Sequence, residues 1–127
     1  MDILIRYGFS IEEIKNMMDA NDELESIRDQ NILELINMLI DIGCHEEHIM
    51  NIFNCNPFVL SRNIKEVKAL ISKLKKLKLK HLYIIFDSNP HLLNMTEEEI
   101  EKLYNDKIDE GLTHDEIVDY FYHNIIL

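Results

Sequence analysis

The chain has 127 residues, 46% of them apolar, with 24 acidic against 13 basic side chains and a formal net charge of −11. That length fits one domain with its own core, three glycines and two prolines disfavour a turn-rich β fold, and no apolar run reaches the ~18 residues of a membrane span. The acidic balance argues against nucleic-acid binding by the surface as a whole. Two cysteines, Cys44 and Cys55, make no disulfide framework, and the Met1–Gly8 start lacks a basic stretch with a small-residue cleavage site. A reducing, cytoplasmic setting is therefore expected.

Taken in order, residues 1–7 read as the last turns of a helix that stops at Gly8. Ser10 and Glu13 then have the spacing of a capping box, in which hydroxyl and carboxylate each satisfy a free backbone N–H, and they open a helix over 10–20. The next helix, 29–42, places Ile32, Leu35, Ile36, Leu39 and Ile40 on one face and ends at Gly43. A shorter helix over 45–55 runs into Phe53-Asn54-Cys55-Asn56-Pro57-Phe58-Val59-Leu60, where proline must stop it. A short apolar turn of 3₁₀ type follows. Asn63 and Glu66 then open helix 63–76, with Ile64, Val67, Leu70, Ile71 and Leu74 on its apolar side. Helix 79–88 leads into Phe86-Asp87-Ser88-Asn89-Pro90-His91-Leu92-Leu93, a near copy of the first joint 33 residues on. Thr96 with Glu99 opens helix 96–110, and beyond Gly111, Thr113 with Glu116 opens helix 113–124. No segment alternates with period two for long enough to predict a strand.

The two joints hold both prolines, and Phe, Asn, Pro and Leu recur at identical offsets, so Pro57, Leu60, Pro90 and Leu93 read as structural repeat joints. Markers at Gly8, Gly43, Lys76 and Gly111 fall 35, 33 and 35 residues apart. A period of this size is the mark of stacked helical units, here about three and a half in one domain over 1–127. Both ends of the chain are apolar. A terminal surface buried by folding back, or a homodimer through the terminal helices, is expected.

The glycine marker with an aliphatic residue six positions on, followed by the Pro-x-x-Leu joint and a capped helix, resembles the mitochondrial transcription termination factor (mTERF) repeat. The residues that carry this are Gly43, Ile49, Ile52, Phe53, Pro57 and Leu60, then Leu82, Ile85, Phe86, Pro90 and Leu93, and more weakly Gly8, Ile14, Gly111 and Ile117. The resemblance implies an all-α, right-handed helical-repeat domain (an α-solenoid), with two helices and a short 3₁₀ turn per unit of 33–35 residues. It also implies binding of double-stranded DNA or structured RNA through a basic groove, in organelles.

Charge is distributed unevenly. Arg62, Lys65, Lys68, Lys73, Lys75, Lys76, Lys78 and Lys80 stand against the single Glu66 within residues 62–81, and the rest of the chain is strongly acidic. These eight are the candidate partner-binding or nucleic-acid-binding residues; the competing reading is a solvated face that compensates the Glu97–Glu101 helix start. Only Tyr83 among the aromatics is adjacent in sequence. Cys44, His45, His48 and Cys55 are zinc-ligand types, but the repeats give ordinary places to Cys44 (apolar staple), His45 (cap position) and Cys55 (small residue before Asn-Pro). No metal or other cofactor is expected. With three glycines there is no phosphate cradle, and no nucleophile or paired-carboxylate arrangement points to an enzyme. Binding is the expected role, with a protein-interaction scaffold for a basic partner as the first reading. A small nucleic-acid-binding protein using Arg62–Lys80 is the second.

Overall fold

The computed structural model describes residues 2–123 and 125. Eight α-helices follow one another: α1 (Asp2–Tyr7), α2 (Ile11–Ala20), α3 (Asp29–Asp41), α4 (Glu46–Cys55), α5 (Ile64–Lys76), α6 (Leu82–Ser88), α7 (Glu97–Asp109) and α8 (His114–Phe121). Three 3₁₀ turns, Asp22–Ser26, Pro57–Ser61 and Pro90–Asn94, follow α2, α4 and α6. No strand occurs among the described residues. Helices α1, α3, α5 and α7 pack successively side by side, α2, α4 and α6 form a second row, and the 3₁₀ turns touch one another in a third. This is the α-solenoid expected from the repeats.

The helix starts form as the capping chemistry dictates. Ser10 Oγ accepts from the Glu13 N–H at 3.0 Å while Glu13 Oε1 accepts from the Ser10 N–H at 2.9 Å. Thr96 with Glu99 and Thr113 with Glu116 repeat this reciprocal pair. Asn63 caps α5 alone, accepting from the Lys65 N–H, because Glu66 turns to Arg62 instead. At α4 the box is made with histidine: His48 Nδ1 accepts from the His45 N–H at 2.9 Å. The bonds from the Ser10 and Thr113 backbones hold the Glu13 and Glu116 carboxyls below their ordinary range, with Asn54 adding to the effect at Glu13. A carboxyl depressed in the folded state contributes stability that is present above its unfolded pKa of about 4.3 and is lost as pH falls through the folded value. The urea midpoint is therefore expected to hold from neutrality to about pH 5.5 and to fall below about pH 4.5. Glu13→Gln with Glu116→Gln is expected to be less stable at neutral pH and to show a shallower acid fall; an unchanged pH profile in the double variant would contradict this.

The α3 core face is Ile32, Leu35, Ile36 and Leu39, each at most 2% exposed, whereas Ile40 turns out of it at 48%. Ile5 on α1 and Leu33 on α3 are exposed as well. Among the apolar terminal residues, Ile126 and Leu127 lie outside the described residues. Phe53, Phe86 and Phe121 fill the centre of successive units with no exposed surface, and Phe9 stacks on Phe53 at 6.0 Å between centroids.

Proline is not the residue that ties the joints together. Asn21, Asn56 and Asn89 cap the C-termini of α2, α4 and α6 with nearly the same φ, −137°, −136° and −135°. They are also the only buried polar side chains among the described residues. Each reaches forward into the next unit. Asn21 Nδ2 donates to the Pro57 carbonyl and Ser61 Oγ, and Asn56 Nδ2 to the Pro90 carbonyl and Asn94 Oδ1. Asn89 Nδ2 donates to the Phe121 and His123 carbonyls, and its Oδ1 accepts from the Ile125 N–H. The first joint, at Asn21-Asp22, folds this way with no proline.

One marker moves. The left-handed turn residue of the third unit is Lys78 at φ +60°, not Lys76, which is still the last residue of α5. Lys78 donates its N–H to Lys75 and Leu79 donates to Leu74, the same pattern that Gly43 and Cys44 make with Ile40 and Leu39. Its unit is shorter between turn and proline, so α6 begins at Leu82, three residues later than the predicted 79, after a second left-handed residue, His81.

Candidate functional site

The basic stretch divides into two groups. Arg62 is committed to the fold: its side chain is only 11% exposed, Nε lies 3.7 Å from Glu66, and Nη1 donates to the Leu93 carbonyl in the next joint. Lys73 pairs with Glu101 of α7 at 3.1 Å with 21% of its side chain exposed. Lys73 thus takes the compensating role toward the Glu97–Glu101 helix start, while Arg62 is paired locally with Glu66 and the next joint.

The other six behave differently. Lys65, Lys68, Lys75, Lys76, Lys78 and Lys80 are exposed, and among the described residues none has a carboxylate within ion-pair distance. The reason is helical periodicity. Val67, Leu70, Ile71 and Leu74 turn into the core, so positions 65, 68, 72, 75 and 76 share the outward side. Helix α5 has 13 residues, the row from Lys65 to Lys76 is about 17 Å long, and Lys78 and Lys80 carry it into the following turn.

Acid flanks the row on both sides. Lys65 and Lys68 border a shallow groove whose far wall holds Asn31 and Glu34 of α3, and Lys68 and Lys75 continue it opposite Met38 and Asp41. Towards α7, Arg62 faces Thr96, Glu97 and Glu98. The site is a narrow cationic stripe between acidic borders.

At the end of the stripe the fold gathers rings that are scattered in sequence. His45, His48, His81, Tyr83 and Tyr122 form a connected series beside Lys78 and Lys80. His81 and Tyr83 adjoin the basic stretch in sequence, whereas His45 and His48 arrive from the preceding unit and Tyr122 from the following one. His45, His48, His81 and Tyr83 share a place at the start of their helices, but Tyr122 caps the end of α8 and has no such periodic signal. Gly43 belongs to this packing: a Cβ there would come within 3.0 Å of the Tyr83 ring, at a φ of +104°.

The residues with zinc-ligand chemistry are dispersed. Cys44 is buried, and burial foremost pushes its thiol up to about 12. Cys55 is exposed and donates to Asn51 Oδ1. No group of three or more His, Cys, Asp or Glu side chains among the described residues is arranged to hold a metal ion. Of the C-terminal aromatics, Phe121 is core, Tyr120 lies under the Lys107 ammonium at 4.5 Å, and Tyr122 donates to the Lys80 carbonyl at 2.9 Å. No helix among the described residues is long and apolar enough to cross a membrane.

Neither the curated proteins nor the solved structures yield a match to this chain. The repeat architecture and its joints agree with the one comparison that does match, the mTERF family model over residues 1–123, and the chain belongs to the mTERF family.

Proposed function

We propose that this protein is a non-enzymatic helical-repeat binding module that contacts the phosphates of nucleic acid through Lys65, Lys68, Lys75, Lys76, Lys78 and Lys80. The observation that carries this is the outward row of six ammonium groups with no carboxylate in ion-pair distance among the described residues, in a protein whose Arg62 and Lys73 are used internally. Membership of a family that commonly binds nucleic acid supports it. Glu34 and Asp41 on one border and Glu97 and Glu98 on the other confine the contact to a narrow track and repel phosphates to either side.

Affinity for an oligonucleotide is therefore expected to fall steeply with salt, with a log–log slope of about −3 to −5 for four to six phosphates neutralised. Each of Lys65→Ala, Lys68→Ala and Lys75→Ala is expected to reduce that slope by roughly one unit. Absence of binding at about 50 mM salt, or a slope near zero, would sink the reading.

A protein-interaction scaffold, the first reading from the sequence, becomes the second here, with one observation in its favour. A shallow depression on α8, of about 580 Å³, is lined by Leu112, Asp115, Glu116, Asp119, Tyr120 and His123. Its mix of acid and ring suits a basic peptide, and Asp115→Lys with Asp119→Lys distinguishes it by abolishing peptide binding while leaving nucleic acid untouched.

A further inference from the structure

At the edge where each long helix hands over to the next short one, five rings touch in series across three units. His45 and His48 at the start of α4 lie 5.5 Å apart, and His48 is 5.4 Å from Tyr83 of α6. Tyr83 is 6.2 Å from His81, and His81 is 6.5 Å from Tyr122 beyond α8. His45 and His81 are exposed, while His48, Tyr83 and Tyr122 are half-buried. Lys78 and Lys80 lead into His81 along the chain, and their backbones are held at this edge. Tyr122 donates to the Lys80 carbonyl, and His114 Nε2 lies 3.2 Å from the Lys78 carbonyl.

The backbone there is unusual. Three of the four inter-unit turns use glycine at positive φ; this one uses Lys78, and His81 follows at φ +53°. A left-handed conformation is costly for any residue with a Cβ. Such a segment persists only where its surroundings impose it, and strain of this kind collects at functional places.

We infer that this ring-and-lysine edge takes the unpaired bases of single-stranded nucleic acid. This rests on the phosphate-contact reading of the α5 row. Flat π faces beside a cationic track are what successive bases stack upon, without demand for a particular sequence. A duplex keeps its bases paired and cannot offer them to rings at an edge. Its second phosphate strand would also fall against the acidic borders of the row. The edge and the borders therefore act in the same direction, selecting one strand over two.

The test compares a labelled mixed-sequence strand of about 12 nucleotides with its own duplex, by fluorescence anisotropy at about 50 mM salt. The single strand is expected to bind at least roughly tenfold more tightly. Tyr83→Leu and His81→Asn are each expected to weaken single-strand binding roughly five- to hundredfold and to leave duplex binding unchanged. Tyr83→Phe keeps the ring and is expected to bind like the wild type. Asparagine tolerates the left-handed backbone of position 81, so His81→Asn decides the matter if Tyr83→Leu lowers the melting temperature. Equal or tighter duplex binding by the wild type, or ring variants that bind single strands normally, overturns the inference and leaves the phosphate-contact reading standing. Failure of both nucleic-acid forms to bind overturns both.

Discussion

Phe53→Ala is expected to destabilise the fold by about 3–5 kcal/mol, which brings a domain of total stability near 5–15 kcal/mol close to unfolding. Phe53 has no exposed surface, stacks on Phe9 at 6.0 Å, and sits beside the equally buried Ile49 and Ile52. Removing the ring leaves a cavity walled by helix faces and a 3₁₀ turn, held in place by neighbouring units and unable to collapse fully. Phe86 occupies the same place one unit on and is expected to respond alike. The internal control is Phe58, in the same eight-residue joint but 56% exposed, for which Phe58→Ala is expected to fall within about 0.5 kcal/mol of the wild type. Urea unfolding followed by circular dichroism measures all three. A Phe53→Ala protein within 1 kcal/mol of the wild type, by about the same uncertainty as the extrapolation, would mean the joint is not the centre of the core.

Asn56→Ala comes next, at about 2–3 kcal/mol. Asn56 is fully buried, and its amide serves Pro90 and Asn94 at 3.0 Å each while its Oδ1 accepts from Asn94 Nδ2 at 3.1 Å. Alanine leaves the Pro90 carbonyl without this donor and opens a small void. Asn56→Asp is expected to be at least as harmful, because it sets a carboxylate oxygen against the Pro90 carbonyl. A double-mutant cycle with Asn94→Ala should return a coupling of roughly 0.5–3 kcal/mol. Additivity of the two single variants would show that the side-chain pair carries no energy of its own.

Much of the architecture was legible because repetition multiplies weak signals. The capping residues Ser10, Thr96 and Thr113 placed three helix starts within a residue, and Pro57 and Pro90 placed two 3₁₀ turns. What escaped were features fixed by contact between units. The turn at Lys78 was misplaced at Lys76 because a lysine in a glycine position has no local signature, and the unit it begins is shortened. Asn56 and Asn89 were visible as letters that recur in the two joints, yet their forward hydrogen bonds are made to residues more than 30 positions away. Asn21 was missed altogether, since no proline follows it. The lysine stretch was read as a unit, and only packing separates the internally used Arg62 and Lys73 from the six that face outward. The ring series at the turn edge was invisible for the same reason.

The forward direction of the asparagine bonds has a consequence for how such a chain grows. Every unit ends in an amide donor and offers, at its own joint, the carbonyl that the preceding donor requires. Head and tail of a unit are therefore already complementary. A tandem duplication of one unit at the junction between residues 56 and 90 would mate with both neighbours without inventing any new contact, so length in this architecture can drift by whole modules while the joint chemistry stays the same.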